Sequence, residues 1–292
     1  MYPVLLLWLL LKSFGLQAQN GLPYEYLHSF MSDAKNMKAN NIVEIVANVS
    51  DVDYLDKSIT KEVIHYVFDE SGRLILEYRG KQFPFGVINE GDYAIKFAYA
   101  SNMTKPSAIT YYLNDGEFKS YNATYSYDQN NRLIEYKCDL NAVNVSYLYS
   151  AGNLVREEVD SEEEHFVSIK EFKYPAALLT EVYEYTVDPN DVSDDPQPRF
   201  LLSEKIHKNT VGQVTKVESS LMIGANNLDV LIYKNGVLTK CTSKLADGST
   251  SYTKSNVLSS DNLVTSTKES FFEFYSTNIE REITTNFEYK HR

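Results

Sequence analysis

Residues 125–134 read Tyr-Ser-Tyr-Asp-Gln-Asn-Asn-Arg-Leu-Ile, and residues 66–75 read Tyr-Val-Phe-Asp-Glu-Ser-Gly-Arg-Leu-Ile. The two stretches share an aromatic pair, an Asp, an Arg and a Leu-Ile end. Before the Asp of the first stretch, aromatic residues alternate with small polar ones, which is the period of two of a half-buried strand. The Asp suits the first position of a type I turn, and Gly72 or Asn131 suits the left-handed position that follows. Each stretch therefore predicts a strand, a tight turn and a return strand.

The shared pattern resembles the YD repeat, or Rhs-type repeat, whose units have the form Tyr-x-Tyr-Asp-x-x-Gly-Arg-Leu. Looser copies occur at residues 147–154 and 231–238. The resemblance implies a long antiparallel meander on an exported or surface protein of bacteria. The chain is too short for the closed shell of full-length members, and it is similar to small exported envelope proteins of unknown function with an open porin-like sheet. The resemblance implies no particular ligand or activity.

Turn signals recur along the rest of the chain, and several are Asn-Gly or Asp-Gly pairs that favour tight hairpins. We predict a meander of about fifteen antiparallel strands, the first over residues 42–47 and closed by residues 48–53. No stretch has the length and period of the crossover helix that a parallel sheet needs. The expected fold class is therefore all-β, a strongly curved sheet or incomplete barrel, with a two-sheet sandwich as the alternative.

The N-terminal region reads as a secretory signal. Residues 4–11 form an apolar run too short to span a bilayer, and small or polar residues follow it. Basic residues before the run are missing, so a membrane-dipping or cytosolic N terminus is the alternative. We predict a signal peptide over residues 1–19, a lead-in with a short helix or irregular structure over 20–40, and a single β-meander domain over 41–292. The expected location is exported: periplasmic, outer-surface or secreted.

The charge of the chain limits its partners. It carries 28 basic and 40 acidic residues, a net charge of −12 at pH 7. Such a chain repels nucleic acid and anionic lipid surfaces, so neither is expected as a principal partner. No later apolar run is long enough for a transmembrane helix. Charges such as Glu77, Glu157 and Lys170 fall on both faces of the predicted strands, which leaves no clean lipid-facing band.

Two cysteines are present, Cys138 and Cys241, and both lie in predicted strands. In an oxidising compartment they could form a disulfide, which would stabilise the loop between them by several kcal/mol. Two unpaired, mostly buried thiols are the alternative, because nothing in the sequence shows that the two residues are neighbours.

One loop has the composition of a metal site. Residues 188–196 hold four carboxylates and an asparagine, which are hard-oxygen ligands suited to Ca²⁺. The candidate ligands are Asp188, Asn190, Asp191, Asp194 and Asp195. The loop lacks the central Gly and distal Glu of an EF-hand, so a solvated loop stiffened by proline is the alternative. The five histidines show no metal-ligand spacing, no phosphate-binding glycine loop is present, and no cofactor is expected.

The candidate binding residues are Tyr125, Tyr127, Tyr147 and Tyr149, which could form a platform for sugars or peptides. The alternative is that these rings pack the sheet as cross-strand pairs. Because no catalytic constellation is visible, we predict a non-enzymatic binding or scaffold module at the cell envelope, with an unknown protein, peptide or glycan partner. The alternatives are an envelope polysaccharide hydrolase whose carboxylates converge only in the fold, and a periplasmic carrier of a lipid or an unfolded client.

Overall fold

The computed structural model describes residues 34–79, 92–101, 103–114, 117–139, 142–161, 166–187, 201–220, 226–273 and 278–292. One short helix, α1 (Ala34–Ala39), precedes the strands. The strands are β1 (Ile42–Asp53), β2 (Ser58–Phe68), β3 (Leu74–Arg79), β4 (Tyr93–Ala98), β5 (Ala108–Asn114), β6 (Phe118–Tyr127), β7 (Leu133–Cys138), β8 (Val143–Ser150), β9 (Asn153–Ser161), β10 (Phe166–Ala176), β11 (Leu179–Val187), β12 (Leu201–Lys208), β13 (Val214–Ser220), β14 (Asn226–Lys234), β15 (Val237–Lys244), β16 (Thr250–Leu258), β17 (Val264–Phe272) and β18 (Ile279–His291).

The strands form one closed antiparallel barrel. Each strand pairs with the next along the chain, and β18 pairs with β1 from Arg281 opposite Asp53 to His291 opposite Ile42. The all-β antiparallel meander with a short N-terminal helix is thus confirmed. The prediction of about fifteen strands in an incomplete barrel is wrong, because the described chain has an 18-stranded sheet whose first and last strands meet. Closure removes both edges of the sheet.

The predicted turn over residues 48–53 is also wrong. These residues form the second half of β1, where they pair with β18 on one side and with β2 on the other. The reversal comes later, at Tyr54–Lys57, where the backbone of Leu55 and Asp56 donates to Asp53 Oδ1. The polar residues of 48–53 suggested a turn locally, but two neighbouring strands satisfy their backbone groups and extend the strand.

The two faces of the barrel differ in chemistry. Buried apolar side chains from most strands form one cluster, which includes Ile45, Tyr66, Tyr136 and Val145. Cross-strand pairs such as Ile45 with Tyr66 and Tyr136 with Val145 place these side chains on one face of the sheet, which is the inner face of the barrel. The outer face carries polar residues and ion pairs, such as Lys290 Nζ with Glu44 Oε2 at 2.8 Å, Lys137 with Glu135 at 2.8 Å and Lys268 with Glu282 at 2.7 Å. The outer face also carries exposed apolar side chains, such as Ile59, Leu148 and Val257.

The repeated corner has the geometry that its sequence predicts. Asp69 Oδ1 accepts from the backbone of Ser71 at 2.8 Å and of Arg73 at 2.9 Å, and Asp69 Oδ2 accepts from Arg73 Nε at 2.8 Å. Gly72 takes a φ of 77°, in the left-handed region. The second copy has the same bonds around Asp128 and a φ of 58° at Asn131. Each corner is therefore a hairpin turn capped by its own Asp and Arg.

Neutralising the first corner is expected to destabilise the barrel. Burial acts to raise the pKa of Asp69, but hydrogen bonds from Arg73 and Ser71 outweigh it and lower the pKa below its usual value. A depressed carboxylate pKa contributes stability that is present at neutral pH and is lost as the pH falls through that pKa. Asp69→Asn should therefore lower the free energy of unfolding by about 1–2 kcal/mol at pH 7 and by much less at pH 3.

Urea denaturation at the two pH values checks this expectation. Asp56→Asn is the matched control, because Asp56 lies in another hairpin turn and is exposed. An equal loss for Asp69→Asn at pH 7 and pH 3 would contradict the role of the charged corner.

Helix α1 closes onto the first corner. Its Met37 is fully buried in the inner cluster, beside Ile42 at the start of β1. The helix backbone passes so close to Gly72 that a Cβ there would lie 2.2 Å from Ala34 O and 2.7 Å from Lys38 N. The helix is therefore the described part of the predicted lead-in. Residues 20–33 and the predicted signal peptide over 1–19 lie outside the described residues.

Candidate functional site

The four candidate tyrosines lie close together, but as parts of the packed wall. Tyr125 and Tyr147 are buried on the inner face. Tyr127 donates its hydroxyl to the carbonyl of Pro106 at 2.9 Å, and the Tyr149 ring lies 4.6 Å under the Arg132 guanidinium. Burial raises the pKa of Tyr149 to about 12. Tyr149 also borders a cavity of about 180 Å³ at the turn end of β8 and β9. A binding role for these rings stays a prediction.

The second candidate site is the loop predicted to bind Ca²⁺. Asp188, Asn190, Asp191, Asp194 and Asp195 lie outside the described residues. Within the described ranges, no group of three or more His, Cys, Asp or Glu side chains is arranged to hold a metal ion.

Both cysteines are free thiols in the structure. Cys138 ends β7 and is buried, whereas Cys241 lies half-buried in β15, and these strands are not neighbours in the sheet. Burial raises the pKa of the Cys241 thiol to about 11. The Cys241 thiol is therefore protonated at neutral pH and a poor nucleophile.

A cavity of about 470 Å³ lies across β12–β15, at residues that no motif of the sequence marks. Lys205, Glu218, Leu228 and Lys244 line it and form one cross-strand row, each opposite the next. This row lies on the face opposite to the buried Ile206, so it belongs to the outer face. The cavity also borders Leu202, Lys216 and the β15–β16 turn at Leu245, Ala246 and Gly248.

An exposed apolar stripe continues from this cavity along the outer face of β14. Leu228, Val230 and Ile232 alternate outward, and Val230 and Ile232 are 36% and 51% exposed. The next strands flank the stripe with lysines, since Val230 faces Lys216 on β13 and Ile232 faces Lys240 on β15. We call this stripe and the 470 Å³ cavity together the β14 groove.

The charge around the β14 groove is opposite to that of the whole protein. Residues 201–260 contain seven lysines and four acidic residues, a net charge of +3 in a chain of −12. Lys216 Nζ lies 2.6 Å from Glu218 Oε1, which also contacts His207 Nε2 at 2.9 Å. Lys205 makes a long ion pair of 3.9 Å with Glu181, and Lys244 pairs with no group in the described part of the chain. The groove therefore combines an apolar floor with a basic rim.

The inner face holds a second charged group, around Glu157. This side chain is 0% exposed, and neither carboxylate oxygen has a hydrogen-bond partner in the described structure. Burial raises the pKa of Glu157 to about 7, partly opposed by the charge of Lys170 and reinforced by Glu184 and Glu204. Glu77 resembles it: burial raises its pKa to about 7, although the Tyr93 hydroxyl donates to Oε1 at 2.7 Å.

Among the described residues, no helix is long and apolar enough to cross a membrane. No protein-family model matches the chain, and no curated protein matches it. Among solved structures, a porin-like protein from Bacteroides uniformis is similar, with 11% identity, a TM-score of 0.45 and coverage of 85% of this chain and 98% of that one. A domain described as an outer membrane lipoprotein-sorting protein from Vibrio parahaemolyticus gives 7% identity, a TM-score of 0.25 and coverage of 89% and 92%.

These comparisons correct the resemblance to the YD-repeat family. No family model for that repeat matches the chain, and neither similar structure named above is described as a YD-repeat protein. The prediction of membership is wrong, because the motif that suggested it is a local hairpin corner. An Asp that caps its own turn beside an Arg and a left-handed residue is a solution open to any antiparallel meander.

Proposed function

We propose that the protein is a non-enzymatic carrier that holds a lipid-like amphiphile at the cell envelope, with the β14 groove as the binding site. The observation that carries the proposal is the outward stripe of Leu228, Val230 and Ile232, which runs into a cavity of about 470 Å³ on the outer face. Apolar side chains that lead into a cavity rimmed by polar groups are a feature of ligand-binding grooves.

The size and the walls of the cavity support a small-molecule ligand. Pockets for such ligands have volumes of about 300–1,000 Å³ and combine apolar walls with a few polar groups. Here Leu202, Leu228 and Leu245 supply apolar surface and the lysines supply polar groups. The inner face is a less suitable site, because its large side chains, such as Tyr66 and Leu154, are already packed out of solvent contact.

The location at the envelope rests on the export signal predicted over residues 1–19. An exported carrier keeps an apolar chain out of water between two sites in the envelope. A protein with ion pairs on its outer face and a local apolar stripe beside a cavity suits that task, because it can bind a single amphiphile without inserting into a bilayer.

Titration with the uncharged fluorescent probe N-phenyl-1-naphthylamine tests the proposal. We expect saturable binding with a dissociation constant on the order of micromolar. Val230→Asn should weaken binding about tenfold, because it replaces an apolar contact by a polar one. Val257→Asn is the matched control, since Val257 is 57% exposed on the outer face of β16, outside the groove. Absence of saturable binding, or equal affinities for the two variants, would refute the proposal.

A further inference from the structure

We infer that the amphiphile in the β14 groove carries an anionic head group, which Lys205, Lys216 and Lys244 bind, while its single apolar chain lies along the β14 stripe. This inference rests on the proposed function and names the class of ligand. It is a different class from the protein, peptide or glycan partners that the sequence suggested.

The charge balance of the cavity favours an anion. Three ammonium groups border it, and Glu218 is the acidic side chain in their row. Glu204 also borders the cavity. It lies opposite Ser219 on β13 and opposite the buried Val182 on β11, so its side chain belongs to the inner face. Among the described residues of the outer side, three lysines and Glu218 line the cavity, and Glu181 pairs with Lys205, which leaves an excess of one positive charge. An anionic head group would form charge-assisted hydrogen bonds with the lysines.

The hydrogen bonding of the lysines leaves donors for a ligand. Lys244 pairs with no group in the described ranges, and the ion pair of Lys205 with Glu181 is long at 3.9 Å. Lys216 is held by Glu218 at 2.6 Å, and Glu218 is shared with His207. Lys244 is therefore the lysine whose charge is most available to a head group.

The placement of the stripe sets the direction of the apolar chain. Leu228 lines the cavity, and Val230 and Ile232 continue along β14 away from it. At about 3.3 Å per residue, the stripe extends roughly 13 Å from the cavity. The carbon stems of Lys216 and Lys240 border it on either side and can cover an acyl chain while their ammonium groups stay in water.

The charge of the whole chain argues for a single molecule rather than a membrane. At −12, the protein is repelled by an anionic bilayer, and this repulsion acts over the surface as a whole. A single dissolved anion interacts mainly with the local excess of positive charge in residues 201–260. Salt screens its repulsion by the more distant carboxylates.

Competition against the bound naphthylamine probe tests the head group. Dodecanoate and dodecyl phosphate should displace the probe at concentrations at least about tenfold lower than dodecanol and dodecyltrimethylammonium, all used below their critical micelle concentrations. Inorganic phosphate alone should not displace it. Displacement by inorganic phosphate would assign the cavity to free anions instead of amphiphiles and would overturn the inference.

Variants locate the site. Lys244→Met should weaken dodecanoate binding about tenfold and leave dodecanol binding unchanged, and Lys244→Arg should retain dodecanoate binding. Lys61→Met, on the exposed outer face of β2, is the control and should change neither. Equal affinities for the four head groups, with the probe still bound, would refute the anionic ligand and leave the carrier function intact. Failure of the probe to bind would refute the carrier function itself.

Discussion

Gly72→Ala is expected to lower the free energy of unfolding by about 3 kcal/mol, against about 1 kcal/mol for Gly236→Ala. Both glycines have positive φ, of 77° and 85°, so both substitutions strain the backbone. The added Cβ at Gly72 would also meet Ala34 O at 2.2 Å and Lys38 N at 2.7 Å, whereas nothing lies within 4 Å of the Cβ at Gly236. The difference between the two variants therefore measures the docking of helix α1 on the corner.

Thermal and urea unfolding followed by circular dichroism measure this difference. If α1 is displaced, Met37 leaves the inner cluster and a further loss follows. Equal destabilisation by the two variants would show that the helix does not rest on Gly72. Replacement by a residue larger than Ala should widen the gap between the two positions.

Glu157→Gln is expected to stabilise the protein by about 2–3 kcal/mol at pH 8 and to leave it unchanged at pH 4. The folded protein holds the pKa of Glu157 at about 7 because burial penalises the carboxylate. The ordinary pKa of a Glu side chain is 4.5, so Glu157 loses its proton at a lower pH in the unfolded chain than in the folded protein. The contribution of Glu157 to stability is therefore largest below pH 4.5, and it is lost as the pH rises to about 7. A neutral Gln has no charge to be desolvated, so the variant does not lose this stability as the pH rises.

Unfolding free energies from pH 4 to pH 8 check the sign as well as the size. The wild type should lose stability over this range, and Glu157→Gln should lose less of it, with Glu77 responsible for part of the remaining slope. Glu158→Gln is the matched control, because the neighbouring Glu158 lies on the outer face in an exposed pair with Arg156. A destabilised Glu157→Gln at pH 8 would mean that an ionised Glu157 supports the barrel through Lys170.

Local chemistry explains the parts of the fold that the sequence predicted. The corners at Asp69 and Asp128 depend on residues that are at most four positions apart, so their hydrogen bonds can be read from the chain. The inward face of each strand follows from alternation, as at Tyr125 and Tyr136, which face each other across β6 and β7. These features need no information about distant partners.

The candidate site was harder to predict. The seven lysines of residues 201–260 are visible in the sequence, but the net charge of the whole chain hides their local excess. The run from Leu228 to Ile232 is apolar at four of its five positions, so it gives no alternation to show which side chains face outward. The register between β13, β14 and β15 is what brings Lys216, Val230 and Thr242 into one row.

The sequence alone determined the hairpin corners, the antiparallel meander, the acidic composition and the alternation of side chains between the two faces of each strand. Each of these depends on neighbours along the chain. The tertiary structure decided the closure of the barrel, the burial of Glu157 and the β14 groove. Closure needs β1 to pair with β18 from the far end of the chain, and the groove needs four strands in one register. No local pattern encodes such pairings, because their free energy comes from contacts that exist only after the whole sheet has formed.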